Sequence, residues 1–287
     1  HAPMLNTPGW TGPAENAGRD EIIALVDGLL SARQGNEAVA LALGAFPIPS
    51  DKALAWAQAA LADLSPSNPA LCAAAEAMVL SGNGSADDYA RKLAPVFADA
   101  GVASQADFAR WLNRQRKWDD SIALITQAKA AQNTAAWEAR AQALAALERW
   151  QDLLAMSEAA SGAPESLRLV YRGAAAQKLG RSGIAPKSLA DAVRAAVREG
   201  TLPQTLRAVD SLGEAKLADP ILIEMCGSPG LTDAMFRAAQ DRFGRRGQFT
   251  DMSEAWEAAA HAAPEAPSVQ DYRRRLLLLE GQPVSSE

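Results

Sequence analysis

From about residue 20 to about residue 280 the chain is cut into short segments of helical periodicity, separated by loops of two to six residues. That rhythm constrains the fold more than any other feature. Apolar residues recur at helical spacing, as in Ile22, Ile23, Leu25, Val26, Leu29 and Leu30. The breaks are turn residues: Gln34-Gly35, Phe46-Pro47-Ile48-Pro49 and Ser65-Pro66-Ser67-Asn68-Pro69. The pattern predicts about sixteen helices, the later ones over about 68–81, 85–99, 104–115, 118–131, 134–148, 150–161, 165–180, 187–199, 202–212, 215–226, 231–245, 248–263 and 268–280. Loops this short make consecutive helices antiparallel neighbours.

Composition supports the same class. The chain holds 64 alanines and 32 leucines against 11 valines and 8 isoleucines. Alanine and leucine favour helix, whereas sheets need the β-branched residues that are scarce here. All-β and doubly wound α/β folds are thereby excluded, and alanine methyls imply close helix–helix approach. Lys plus Arg is 28 and Asp plus Glu is 34, a net charge of -6. That acidic balance opposes nucleic-acid binding. No run of about 18 apolar residues is present, so no membrane insertion of this segment is expected.

The helix pairs are also self-similar. Phe236, Phe243, Gly247, Phe249, Trp256, Ala259 and Pro264 form the clearest unit. Phe236 and Phe243 share a helix face, Gly247 supplies the turn, and Phe249 and Trp256 share a face of the next helix. Trp137, Ala141, Leu144, Trp150, Leu153, Ala160 and Pro164 repeat the frame, as do Phe108, Ala109, Leu112, Trp118, Ile125 and Ala128. Leu71, Ala75, Met78, Gly82 and Ala94 give a weaker unit. This pattern resembles the tetratricopeptide repeat, a helix pair of about 34 residues. Gln240 and Met252 stand where that family prefers small residues, and residues 181–230 match poorly, with breaks at Gly183, Pro186, Pro203, Pro220 and Pro229.

The resemblance implies an all-α, right-handed superhelical α-solenoid of antiparallel helix pairs over residues 19–280. The clearest repeats are 102–133, 134–165 and 233–264. Residues 1–18 and 281–287 read as flexible tails. Trp10 in the first tail is expected to fold back onto the first helix pair. The start at His1-Ala2-Pro3 reads as a processed form, and the proline- and glycine-rich tail suits a juxtamembrane linker. The chain is expected to be soluble, in the cytoplasm or as part of an anchored or exported protein.

Residues suited to catalysis are few. His1 is terminal, and His261 sits late in a helix where it favours the dipole. Cys72 and Cys226 read as buried thiols, and no zinc-type ligand cluster exists. Gly180-Arg181-Ser182-Gly183 lacks the final glycine of a nucleophile elbow, and Gly82-Asn83-Gly84-Ser85 reads as a turn with Ser85 as N-cap. Asn83-Gly84-Ser85 also fits a glycosylation sequon. Arg245-Arg246 and Arg273-Arg274-Arg275 read as solvated helix faces. No metal or cofactor is expected.

In tetratricopeptide proteins the first helices line a concave binding groove. The resemblance places Arg110, Asn113, Arg114, Glu138, Gln142, Arg237, Asp241 and Arg245 on it. Ala106 and Arg110 fall where the carboxylate-clamp subtype needs other residues, so that specialisation is not implied. The expectation is a non-enzymatic scaffold for a protein or peptide partner. The alternative is a helical-toroid hydrolase with paired carboxylates such as Glu138 and Asp241.

Overall fold

The computed structural model describes residues 19–32, 34–45, 50–181, 183–212, 215–228, 231 and 233–279. The two tails, Trp10 among them, lie outside the described residues. Seventeen helices and no strand occur among the described residues. The first unit contains α1 (Arg19–Ser31), α2 (Asn36–Ala45), α3 (Ser50–Ala60), α4 (Leu71–Leu80), α5 (Ala86–Ala98), α6 (Val102–Arg114), α7 (Trp118–Leu124) and α8 (Gln127–Gln132). The second contains α10 (Trp150–Glu158), α11 (Glu165–Lys178), α12 (Ala185–Glu199), α13 (Leu202–Ser211), α14 (Ala215–Cys226), α15 (Asp233–Arg246), α16 (Phe249–Ala262) and α17 (Pro267–Leu279). The division between two compact units, at Ala143–Leu144, falls inside α9 (Thr134–Ala146), where the sequence predicts one continuous domain.

Most helices fall where the periodicity places them, with one difference. The segment expected as one helix over 118–131 is two, α7 and α8. Ile125 is extended (φ -99, ψ 93) and fully buried, and the Thr126 side chain accepts the Lys129 amide to open α8. The carbonyls freed at the break are satisfied from elsewhere. Arg140 of α9 donates to the carbonyls of Ile122 and Ile125 at 2.9 and 2.5 Å, and Lys129 Nζ to that of Leu124 at 3.1 Å. The break turns Ala128 out to solvent. Ala160 is also exposed, because α10 ends at Glu158. Neither is therefore a helix-contact alanine. Ala109, Ala141 and Ala259 are completely buried.

Of the expected proline breaks in 181–230, Pro229 lies outside the described residues. Pro186 and Pro203 stand in the first turns of α12 and α13, where the missing N–H has no intrahelical partner to lose. Pro220 lies within α14, so it is not the break expected there.

One turn recurs within helix pairs. Gly82, Arg116, Glu148, Gly180 and Gly247 all have left-handed backbone, with φ of 76, 60, 56, 70 and 66. In each case the next amide donates to the carbonyl five residues back. Asn83 reaches Met78, Lys117 reaches Leu112, Arg149 reaches Leu144, Arg181 reaches Ala176 and Gln248 reaches Phe243, all at 2.8–3.0 Å. This is the Schellman geometry that satisfies helix-end carbonyls. Successive positions differ by 34, 32, 32 and 67 residues, the last being about two steps. In the sequence Gly213 stands near the middle of that double step, outside the described residues. The same turn at Gly200 joins α12 to α13.

Only glycine adopts this backbone without a Cβ penalty, so the two exceptions predict a pair of opposite effects. Arg116→Gly and Glu148→Gly are each expected to stabilise by about 0.5–1 kcal/mol, relief of strain exceeding the added entropy of the unfolded chain. Gly247→Ala should destabilise by about 1 kcal/mol. Thermal denaturation of the three variants checks both signs.

Within the first unit α2 packs on α4 and α4 on α6, while α3 packs on α4 and α5 on α6. Its core joins Trp56, Leu71, Leu93, Phe97, Phe108 and Trp111. Phe108 stacks between Phe97 and Trp111, with ring centroids 4.7 and 5.7 Å away. In the second unit α11 packs on α13 and α15 on α17, and α14 lies against both α12 and α16. Phe236, Phe243, Met252, Ala255 and Ala259 form a core there, and Tyr272 meets Phe236 edge-on at 6.2 Å.

Helix starts are tied down by carboxylates from other helices. Glu199, at the end of α12, accepts the Glu165 and Ser166 amides that open α11, at 2.8 and 3.2 Å, and the Ser166 hydroxyl at 2.7 Å. Burial raises its carboxyl, but the bonds from Ser166, Glu165 and Thr201 outweigh burial and hold it below its ordinary value of 4.5. The unfolded chain therefore takes up the proton more readily. The cap contributes fully above 4.5 and is lost as pH falls through the lowered folded value. Glu199→Gln should cost about 0.5–1 kcal/mol at neutral pH, the lower capping range because the group is solvent-screened. The gap from the parent chain should narrow in denaturation curves taken at successively lower pH.

Candidate functional site

The predicted groove residues lie on α6, α9 and α15, where residues three and four apart share a face. In the first unit they link α4 to α6 and α6 to α9. Arg114 Nε and Nη2 both donate to Glu76 Oε2 of α4, at 2.9 and 2.7 Å. Arg110 reaches Glu138 of α9 at 3.4 Å and Asp107 at 3.5 Å. Asn113 is only 5 % exposed, and its Nδ2 donates to the Ala139 carbonyl at 2.8 Å. It therefore ties α6 to α9 instead of lining a groove, because the shortness of its side chain draws it into the helix contact. Gln142 is half-buried one turn beyond Glu138.

In the second unit the ion pairs of the set lie within a single helix. Arg237 pairs with Asp233 at 2.8 Å and Arg245 with Asp241 at 3.8 Å, both within α15; the second pair is exposed, whereas Asp233 is half-buried and also accepts the Ser268 amide at the start of α17, at 2.7 Å. Such pairs contribute roughly 0.3–0.5 kcal/mol each and open readily. A charged ligand can replace either partner. Glu138 and Asp241 belong to different units, and each is engaged by an arginine of its own unit.

Two clefts lie away from these helix faces. One of about 630 Å³ lies between α5, α6 and α7, with Ala90, Ala94, Phe108, Leu112, Ala123 and Leu124 as apolar walls and the Asp87–Lys117 ion pair at its rim. The other, about 370 Å³, lies between α10 and α11 and holds Glu158, Glu165, Arg168 and Arg172. Arg172 pairs with Glu158 at 3.3 Å.

Burial pushes the Cys72 and Cys226 thiols up to about 12, so both are protonated at neutral pH and poorly nucleophilic. His261 is exposed in the last turn of α16. Among the described residues no group of three or more His, Cys, Asp or Glu is placed to hold a metal. Ser85 is the N-cap of α5, as expected, and forms a capping box with Asp88. Among the described residues no helix is long and apolar enough to cross a membrane.

Sequence reasoning missed Glu76 and Asp219, which anchor interhelix networks. Glu76 is the one charged residue of α4, and a lone carboxylate in an apolar helix signals a partner on a neighbour. Comparison with known proteins adds no relative: no family model matches the chain, and no curated protein matches it.

Proposed function

We propose that this chain is a tetratricopeptide-like α-solenoid acting as a non-enzymatic scaffold that holds a peptide or partner helix along its first helices. The observation that carries the reading is the left-handed turn repeated at steps of 32–34 residues, at Gly82, Arg116, Glu148 and Gly180. The turn is a common helix end and recurs off this spacing at Gly200, but its near-constant step fits a chain built from a repeated helix pair. Packing of α2 on α4, α4 on α6, α11 on α13 and α15 on α17 fits first helices placed side by side.

In each unit by itself the loosely paired polar residues are the ones a partner can engage: Arg110, Glu138 and Gln142 on α6 and α9 of the first, and Arg237, Asp241 and Arg245 on α15 of the second. The alternating signs select a partner that carries both charges. The test is selection of a displayed random-peptide library on the intact chain. Enriched peptides should lose at least about tenfold in affinity, some 1.4 kcal/mol, when Arg237 and Arg245 are both replaced by Glu. A library that enriches nothing, or peptides indifferent to that double change and to Arg110→Glu, would overturn the proposal.

A further inference from the structure

Asn83-Gly84 is the one Asn-Gly pair in the sequence, and it occupies the turn between α4 and α5. Asn83, Gly84 and Ser85 are all exposed. The fold also holds glycine at 84. Its φ is +130, and a Cβ there would stand 2.7 Å from Tyr89 Cε2. The residue after Asn83 is thereby kept free of a side chain that would shield its nitrogen. The Tyr89 hydroxyl donates to the Asn83 carbonyl oxygen at 3.1 Å. That oxygen belongs to the Asn83–Gly84 peptide, and a hydrogen bond to it draws electrons from the group and makes its N–H more acidic. The carboxamide of Asn83 is held only by long bonds from Nδ2 to the Ser81 carbonyl and hydroxyl, at 3.3 and 3.2 Å.

We propose that Asn83 is a self-modification site, converted in the folded protein to aspartate and isoaspartate with Tyr89 as a positioning residue. The deprotonated Gly84 nitrogen adds to Asn83 Cγ, forming an N–Cγ bond. The Cγ–Nδ2 bond breaks, and Nδ2 leaves as ammonia, taking up the proton that the Gly84 nitrogen lost to solvent. Water then opens the cyclic imide at either carbonyl, giving aspartate or isoaspartate. The net change is amide plus water to acid plus ammonia, so no oxidant, reductant or cofactor enters.

The two products differ in consequence. Aspartate at 83 adds a negative charge near the start of α5, where the helix dipole favours it. Isoaspartate lengthens the backbone by one carbon within the left-handed turn at Gly82 and displaces the carbonyl that Tyr89 holds. Incubation of the intact chain at mildly alkaline pH, followed by peptide mapping with isoaspartate detection, tests this. The expected result is conversion at Asn83 ahead of Asn36, Asn68, Asn113 and Asn133, several-fold slower in Tyr89→Phe. A chain that converts Asn83 only when unfolded in urea would overturn the site. An unchanged rate in Tyr89→Phe, with its helical circular dichroism intact, would overturn the role of Tyr89.

Discussion

Phe243→Ala is expected to destabilise the second unit by about 3–5 kcal/mol, the range for removing a sealed aromatic ring. Phe243 has no exposed surface and is clustered with Phe236, Met252, Ala255, Ala259 and Val269, and with Leu222 and Cys226 of α14. The alanines that bring α15 and α16 together have no longer side chain to swing into the space. The cavity therefore stays open and adds its own cost to the lost burial. The backbone bond from Gln248 to the Phe243 carbonyl does not depend on the ring, so the effect reports packing alone. Phe249, two residues past Gly247, is 77 % exposed, and Phe249→Ala should stay within about 0.5 kcal/mol. Thermal denaturation with hydrogen exchange of the α15 and α16 amides would separate the two. A loss below about 1 kcal/mol for Phe243→Ala would mean that α14 and α16 close over the gap, contrary to the rigid alanine contact inferred for this pair.

Those contrasting phenylalanines show which parts of the fold were legible in the sequence. Helix class and the positions of Phe236, Phe243, Trp137 and Ala141 follow from a period of 3.6 residues, which is a local property. The break at Ile125 is different. It persists because Arg140, from the next helix, supplies donors to the carbonyls of Ile122 and Ile125. A side chain 15 residues away is invisible to a local reading, which therefore places Ala128 in a contact it does not make. Arg116 and Glu148 are hidden for a related reason: neither residue type announces a left-handed turn. Only their spacing from Gly82 and Gly180 does so.

The candidate surface was legible in part. The tetratricopeptide resemblance implies a groove-facing side for Arg110, Arg114 and Arg237, but not what each one meets. Arg114 lies against Glu76, 38 residues earlier, whereas Arg237 meets Asp233 on its own helix. Asn113 went the other way, into the contact between α6 and α9, since an amide one carbon shorter than glutamine reaches a neighbouring backbone carbonyl at close approach. Polarity alone does not separate a strut from a binding residue.

Asp219→Ala should cost about 2–3 kcal/mol, because it removes the anion from a group of donors assembled around it. Asp219 is 8 % exposed on α14 and accepts from Arg246 at 3.1 Å and from Gln248 at 2.9 Å, the residues on either side of the left-handed Gly247. Arg242 Nε lies 3.8 Å from the same carboxylate. The carboxylate thus fastens α14 to the turn between α15 and α16. The cost falls below the 3–5 kcal/mol typical of wholly sealed pairs, since the Arg246 side chain is 34 % exposed and can turn to water, while Arg242 keeps Asp210 at 2.6 Å. Asp219→Asn retains an acceptor without the charge and should lose about half as much. Asp219→Leu should not recover the loss, because an apolar branch offers no acceptor in place of the carboxylate, although Gln248 keeps its bond to Asp251 at 2.8 Å. A double-mutant cycle with Arg246→Ala separates charge from packing: a coupling of about 1 kcal/mol or more supports the tether, whereas additive losses would reduce Asp219 to an ordinary helix-surface acid.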